Sequence, residues 1–286
     1  MLSEPVARPD SPTSFARIPP RRGVLYPWPH RPKAFLPATM KAKTAMRKSE
    51  QVRASAIVER LRAASTAKQR ASIARFGILT TDVLGVAMAT IQKIGKELGR
   101  DHDLAHALWA TGVYEARLLC AYVGDPERLT SAEADRWCRD FDNWGVCDTL
   151  CFCLLDRTPF AYRSAAKWCG RAAEFAKRAG FALLASLAGH DKKANDQVFL
   201  RLLPLCEKGA SDDRNFVKKA VSWALRRTGG RSRVLHKACT ELAETLAAAD
   251  VASKRWVGKD VLRDLRRPMV VRRVAAAEKR RRLKGL

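Results

Sequence analysis

Proline is scarce over most of this sequence, and acidic residues are scarce throughout it. Only four of the thirteen prolines follow residue 39, so little there interrupts a helix. Runs of alternating β-branched residues are absent, which excludes an all-β body. No stretch of eighteen apolar residues occurs, so no bilayer span is expected. No apolar segment near the N-terminus has the form of a secretory signal. Phosphate-binding glycine loops, dinucleotide fingerprints and a Ser-His-Asp order are missing as well. The commonest nucleotide-dependent and serine-hydrolase chemistries are therefore set aside.

The shortage of acid is quantitative. Asp and Glu number 29 against 54 Lys and Arg, a formal charge of +25 on 286 residues, with a sequence pI near 10.3. A basic tail does not account for it: Arg263 to Leu286 holds ten basic and two acidic residues, leaving +17 for the rest. A polyanionic partner is the natural inference, bound in a salt-dependent way through counterion release. Nucleic acid fits best, and an acidic membrane surface is the competing partner.

With 47% apolar residues the chain can bury a sizeable core. The eight cysteines are Cys120, Cys138, Cys147, Cys151, Cys153, Cys169, Cys206 and Cys239. In so long and core-rich a chain they read as reduced, mostly buried thiols of a cytoplasmic protein. Cys147, Cys151 and Cys153 have no histidine or second cysteine pair at zinc spacing, so no metal is expected. No cofactor is expected either.

Nine prolines within residues 1–39 predict a disordered, Pro/Arg-rich extension. From about residue 50 the periodicity is helical, as in Val83, Val86, Ala87, Ile91, Ile94 and Leu98. Breaks fall at Gly99, Gly124, Thr158-Pro159, Gly189, Gly209 and Gly229-Gly230. Glu174-Phe-Ala-Lys-Arg-Ala aligns with Asn215-Phe-Val-Lys-Lys-Ala at a spacing of 41, with a fainter echo at Tyr114-Glu-Ala-Arg117. A period near forty with two helices per unit predicts an all-α, HEAT-like repeat solenoid with a concave face. Arg117, Arg178 and Lys219 would then sit at equivalent positions and make that face basic. The predicted organisation is the extension at 1–39, the repeat domain at 40–266, and a basic helix or tail at 267–286.

The chemistry is concentrated in Asp140-Phe-Asp-Asn-Trp-Gly-Val-Cys-Asp148 and Asn215-Phe-Val-Lys-Lys-Ala-Val-Ser-Trp-Ala-Leu225. A four-residue spacing puts Trp144 and Asp148 on one helix face. Lys219, Trp223 and Arg227 form a second stripe. An anion between indole rings suits chemistry on a cationic centre. Cleaving an N-glycosidic bond builds positive charge on the sugar, which a carboxylate stabilises. An alkylated purine is already cationic and leaves neutral, so one carboxylate suffices. Indoles hold such a base by π-face contact. The blander readings are a surface acid, packed indoles and a solvated basic face. Asp142 or Asn143 is predicted as an N-cap, and Asp140 is the reserve acid. Trp109, Trp137, Trp168 and Trp256 are assigned to the core.

Asn143-Trp-Gly-Val-Cys-Asp148, Glu174 to Leu184 and Asp212 to Arg226 resemble the HEAT-like-repeat DNA alkylation-repair glycosylases, the AlkD-like alkylpurine glycosylases. Leu108 to Arg117 gives softer support, and the likeness spans about Ile73 to Leu265. The match departs at Gly145, where the family often has a bulky or acidic residue. The resemblance implies a catalytic aspartate at Asp148, lesion-flanking tryptophans at Trp144 and Trp223, and a DNA-contacting arginine at Arg178. It also implies a grip on sugar and backbone in place of a deep base pocket. The expected activity is excision of cationic N3- or N7-alkylpurines from duplex DNA by a monomer, with Arg178, Lys219, Arg227 and Arg117 on the DNA. The rivals are a non-catalytic DNA-binding relative and a protein-interaction scaffold.

Overall fold

Every regular element among the described residues is helical. The computed structural model describes residues 38–78 and 82–283, with side chains at 48–78 and 82–279. The extension expected at 1–39 lies almost wholly outside these residues. Contacts divide the chain into residues 1–41 and 42–286, and every described core residue belongs to the second unit.

Helix starts follow local chemistry. Asp101, Thr130, Asn143 and Ser232 each accept a bond from the amide three residues on, at 3.0, 3.3, 2.9 and 3.1 Å, satisfying donors that the first helical turn leaves open. In chain order the helices are α1 (Ala38–Ala63), α2 (Ala67–Arg75), α3 (Met88–Leu98), α4 (His102–Ala110), α5 (Tyr114–Val123), α6 (Ser131–Arg139), α7 (Trp144–Cys153), α8 (Ala161–Cys169) and α9 (Glu174–His190). They continue with α10 (Asp196–Leu200), α11 (Leu203–Gly209), α12 (Asn215–Gly229), α13 (Arg233–Ala248), α14 (Ala252–Leu265) and α15 (Pro268–Leu283). A 3₁₀ turn, Leu155–Arg157, comes after α7.

In chain order the helices alternate as α4/α5, α6/α7, α8/α9, α11/α12 and α13/α14, with packing inside each pair except α6/α7, where α6 lies chiefly against α9. The second members pack on one another in order: α5 on α7, α7 on α9, α9 on α12, and α12 on α14. They form one layer, and the first members are threaded along its back. The predicted regular period needs correction. Second helices begin at Tyr114, Trp144, Glu174, Asn215 and Ala252, so the spacing runs from 30 to 41 residues. The echo between Tyr114-Glu-Ala-Arg117 and Phe175-Ala-Lys-Arg178 spans two units, with α7 between.

A second correction concerns residues 82–87. Their apolar spacing predicts helix, yet α3 starts only at Met88. Glu115, fully buried on α5, accepts from the amides of Leu84, Gly85 and Val86 at 3.0, 2.7 and 3.2 Å. Those donors are lost to a helical ladder, and Gly85 takes a left-handed φ of +91°.

The core runs through both layers. Trp168, Phe181 and Phe199 are wholly enclosed, and Trp109 and Trp137 are buried. Trp256 is not in the core as expected. It is 37% exposed on α14, and the Lys218 ammonium lies 5.5 Å from its ring centroid. Asp135 on α6 ties two first-layer helices together by accepting from Trp168 and Arg171 at 2.6 and 2.8 Å. The basic C-terminal segment is the helix α15, seated through buried Val270 and Val274.

α8 and α9 touch closely at Gly180, where a Cβ would sit 2.3 Å from the Cys169 amide nitrogen. Gly180→Val should therefore cost about 1–3 kcal/mol by overpacking. Gly170→Ala, whose Cβ would meet nothing nearer than 3.6 Å, should stay within about 0.5 kcal/mol of the parent. Denaturant unfolding of the two variants checks the contrast.

Candidate functional site

The site begins at the start of α7. Asn143 caps the helix by accepting from Val146 N at 2.9 Å, which makes Trp144 its first residue and sets Asp148 one turn on. The Trp144 indole is not free to swing, because its Nε1 donates to the Phe76 carbonyl at 3.0 Å. Gly145 has a physical reason. A Cβ there would come 2.6 Å from the Tyr114 hydroxyl and 3.0 Å from Ile78 Cδ1. α5 and the segment after α2 fill the space that a side chain at this position would take.

Asp148 faces α9. Arg178 donates Nε to Oδ1 at 2.9 Å and Nη2 to Oδ2 at 2.6 Å, a bidentate fork. Its remaining Nη1 donates to the Phe216 carbonyl of α12 at 2.8 Å. The side chains are 17% and 9% exposed. Burial pushes the Asp148 carboxyl above its ordinary range, against the pull of the Arg178 charge and hydrogen bonds. Each carboxylate oxygen keeps lone-pair capacity beyond its bond to Arg178.

α12 and α14 complete a cleft of about 410 Å³ lined by Trp144, Asp148 and Arg178 on one side and by Lys219, Trp223 and Arg226 on the other. Trp256 and Asp260 of α14 also line it. Trp223 stacks on Phe152 of α7 at 4.8 Å with planes 3° apart, so one face of its indole is fixed. Asp260 accepts from the Ser222 hydroxyl at 2.6 Å and pairs with Arg263 and, at 3.7 Å, with Arg226. Trp256 and Asp260 repeat the aromatic-carboxylate spacing of Trp144 and Asp148. That spacing is the signal by which the sequence could have revealed them.

The other basic positions fall differently from expectation. Arg178 does not reach outward as a phosphate contact, since its guanidinium is committed to Asp148 and Phe216. Arg227 does not line the cleft, and its guanidinium lies over Gly189 of α9. Arg226 takes the lining position instead. Arg117 is also outside the cleft. Its guanidinium stacks 5.0 Å from the Trp109 ring centroid and reaches the Asp140 carbonyl at 3.5 Å. Lys219 is exposed at the cleft. The Asp140 carboxylate accepts from Trp109 Nε1 at 2.9 Å, which occupies the reserve acid elsewhere.

A separate cleft of about 590 Å³ beside the 3₁₀ turn holds Asp156 and His190. Ser186 and Asp156 both approach the same ring nitrogen of His190, Nδ1, at 3.3 and 2.5 Å. A relay needs the two on opposite nitrogens, so this cluster is an anchor between α9 and the turn. The Asp148 cleft contains no cluster of metal-ligating side chains among the described residues.

The comparisons agree with this architecture. The family described as "DNA alkylation repair enzyme" matches residues 57–241, and the chain belongs to that family. A solved structure, described as a new family of proteins related to the HEAT-like repeat DNA glycosylases with affinity for branched DNA structures, superposes with a TM-score of 0.61 at 20% identity. The match covers 73% of this chain and 94% of that one. The fold is accordingly all-α and HEAT-like. A designed armadillo repeat protein bound to a (KR)4 peptide is a looser likeness, with a TM-score of 0.33 at 13% identity over 81% of this chain and 95% of that one. No curated protein matches the sequence.

Breaking one half of the buried pair should be more harmful than removing both charges. Arg178→Met is expected to cost about 3–5 kcal/mol near neutral pH, because it strands a buried carboxylate. Asp148→Asn combined with Arg178→Met should cost less. With Arg178 gone the Asp148 carboxyl is raised further, so lowering the pH through that raised value should restore part of the lost stability. Chemical denaturation of the three variants across pH checks both expectations.

Proposed function

We propose that this protein is a DNA glycosylase that hydrolyses the N-glycosidic bond of cationic N3- or N7-alkylpurines in duplex DNA. The observation that carries the reading is Asp148, a single carboxylate held by Arg178 in a cleft walled by Trp144 and Trp223. Membership of a DNA alkylation repair family supports it, as does a formal charge of +25.

The chemistry asks little of the protein. As the bond between the sugar C1′ and the purine nitrogen lengthens, its electron pair goes to the base, which leaves neutral. Positive charge develops on the sugar, and the Asp148 carboxylate opposes it in a partly desolvated setting. Water attacks C1′ and gives its proton to Asp148 or to solvent. Arg178 acts through Asp148, keeping it oriented and ionised despite its burial. The indoles of Trp144 and Trp223 offer π faces to the cationic nucleotide. Trp256, with Lys218 beside it, extends that wall. Lys219 and Arg226 meet phosphate, where the basic surface supplies salt-dependent affinity. A concave basic DNA surface, monomeric action and a cytoplasmic setting belong to this same reading.

Among the described residues lining the cleft the second carboxylate is Asp260, and it is engaged by Ser222, Arg226 and Arg263. Neutral lesions should therefore be poor substrates. General-acid help is typically worth about 10²- to 10⁴-fold, so 7-methylguanine should be released faster than hypoxanthine by at least that order. Equal single-turnover rates on matched duplexes would overturn the single-carboxylate mechanism.

Asp148→Asn should remove nearly all base release and leave duplex binding intact or slightly tighter, since one anion facing a polyanion is gone. A protein that binds branched duplexes yet releases no base from methylated DNA would instead be a non-catalytic relative.

The reaction needs Asp148 ionised, and burial raises its carboxyl. The rate should thus fall with decreasing pH at values above the ordinary aspartate range, near about 3.9. A single-turnover pH profile on the acid side of neutrality, where 7-methylguanine keeps its positive charge throughout, reads this directly.

A further inference from the structure

Away from the cleft, α4 and the start of α6 bring together His102, His106 and Glu133. One ligand atom from each lies within 4.8 Å of the other two. His102 and His106 are one turn apart on the same face of α4, their rings 4.7 Å apart edge to face. His102 is 6% exposed, and its Nδ1 is buried without a hydrogen-bond partner. His106 Nε2 is likewise buried and makes no hydrogen bond, though it lies 3.4 Å from Glu133 Oε1, and His102 Nε2 lies 3.9 Å from Glu133 Oε2. Buried imidazole nitrogens without hydrogen bonds are costly in a folded protein unless something satisfies them.

From this geometry we infer that His102, His106 and Glu133 form a binding site for a divalent transition metal of the zinc class. Ligands about 2.1 Å from a tetrahedral ion stand roughly 3.4 Å apart, which is the separation already present between His106 and Glu133. Closing the widest gap, up to 4.8 Å, takes side-chain movements that total roughly 1.4 Å. The donor set of two imidazoles and one carboxylate suits zinc, and the fourth position is left to water.

Glu133 is prepared for the role. Its Oε2 accepts from the Thr130 amide and hydroxyl at 2.9 and 2.7 Å, an orienting outer shell that leaves Oε1 for the ion. Burial pushes this carboxyl up, but the Thr130 hydrogen bonds and the neighbouring imidazoles bring it below its usual range. Arg136 approaches Glu133 Oε1 at 3.9 Å from a side chain 57% exposed, and it can turn to solvent when the ion enters. The metal would staple α4 to α6.

The probe is Co²⁺ added to the full chain, followed by displacement with Zn²⁺. The expected result is one equivalent bound, visible d–d absorption of a tetrahedral centre, and quenching of Trp137, whose ring is 5.0 Å from that of His106. His106→Gln and Glu133→Gln should each weaken Co²⁺ binding by at least about tenfold, while their metal-free melting curves establish that the fold persists. His236→Gln, on α13, should leave the absorption unchanged. Absence of the band in the parent protein would overturn the site. So would its persistence in both ligand variants, or its loss in His236→Gln.

Discussion

The structure around the cleft turns on one buried ion pair. Arg178 spends its guanidinium inside the protein, with two donors on Asp148 and one on the Phe216 carbonyl. A single side chain of α9 thereby fixes α7 on one flank and α12 on the other. Two desolvated charges are expensive unless both are satisfied with good geometry. The pair therefore resists rearrangement, because half of it cannot be given up without leaving the other half stranded. The position of Asp148 relative to Trp223 follows from that constraint as much as from packing.

Layering explains why the cleft residues come from such distant parts of the chain. Asp148, Arg178, Trp223 and Trp256 lie on α7, α9, α12 and α14, the second helices of successive pairs. Asp148, Arg178 and Trp256 are each the fifth residue of their helix, and Trp223 sits one turn further along α12. A site built on helix faces is more rigid than one built on loops. The supporting contacts, from Phe76 to Trp144, Phe152 to Trp223 and Ser222 to Asp260, are all short. Variation in unit length, from 30 to 41 residues, is absorbed by the first helices and connections, so the wall stays continuous.

Some of this was legible in the sequence. The four-residue spacing of Trp144 and Asp148, the cap at Asn143 and the helical breaks at glycine all reflect local geometry, which a one-dimensional pattern preserves. What it did not preserve was direction. Arg178, Lys219 and Arg227 look alike as basic residues, yet one is turned inward by a carboxylate, one lines the cleft and one lies over Gly189. Arg117 was drawn to the Trp109 ring, a partner that nothing in its own helix announces. Residues 82–87 carry helical spacing but lose their amides to Glu115, about thirty residues away. Trp256 shows the converse error. It was assigned to the core although its spacing to Asp260 matches that of the first pair, and it lines the cleft.

The cysteines acquire a chemical meaning in this setting. All eight are free, and seven are buried. Burial holds the thiols of Cys138, Cys169 and Cys239 near 12 and pushes Cys120, Cys147 and Cys206 up as well. Only a thiolate attacks an electrophile at an appreciable rate. Agents that methylate nucleobases also attack soft sulfur nucleophiles, chiefly in their thiolate form. Keeping its sulfur protonated and enclosed gives this fold chemical durability against the reagents whose damage its family repairs.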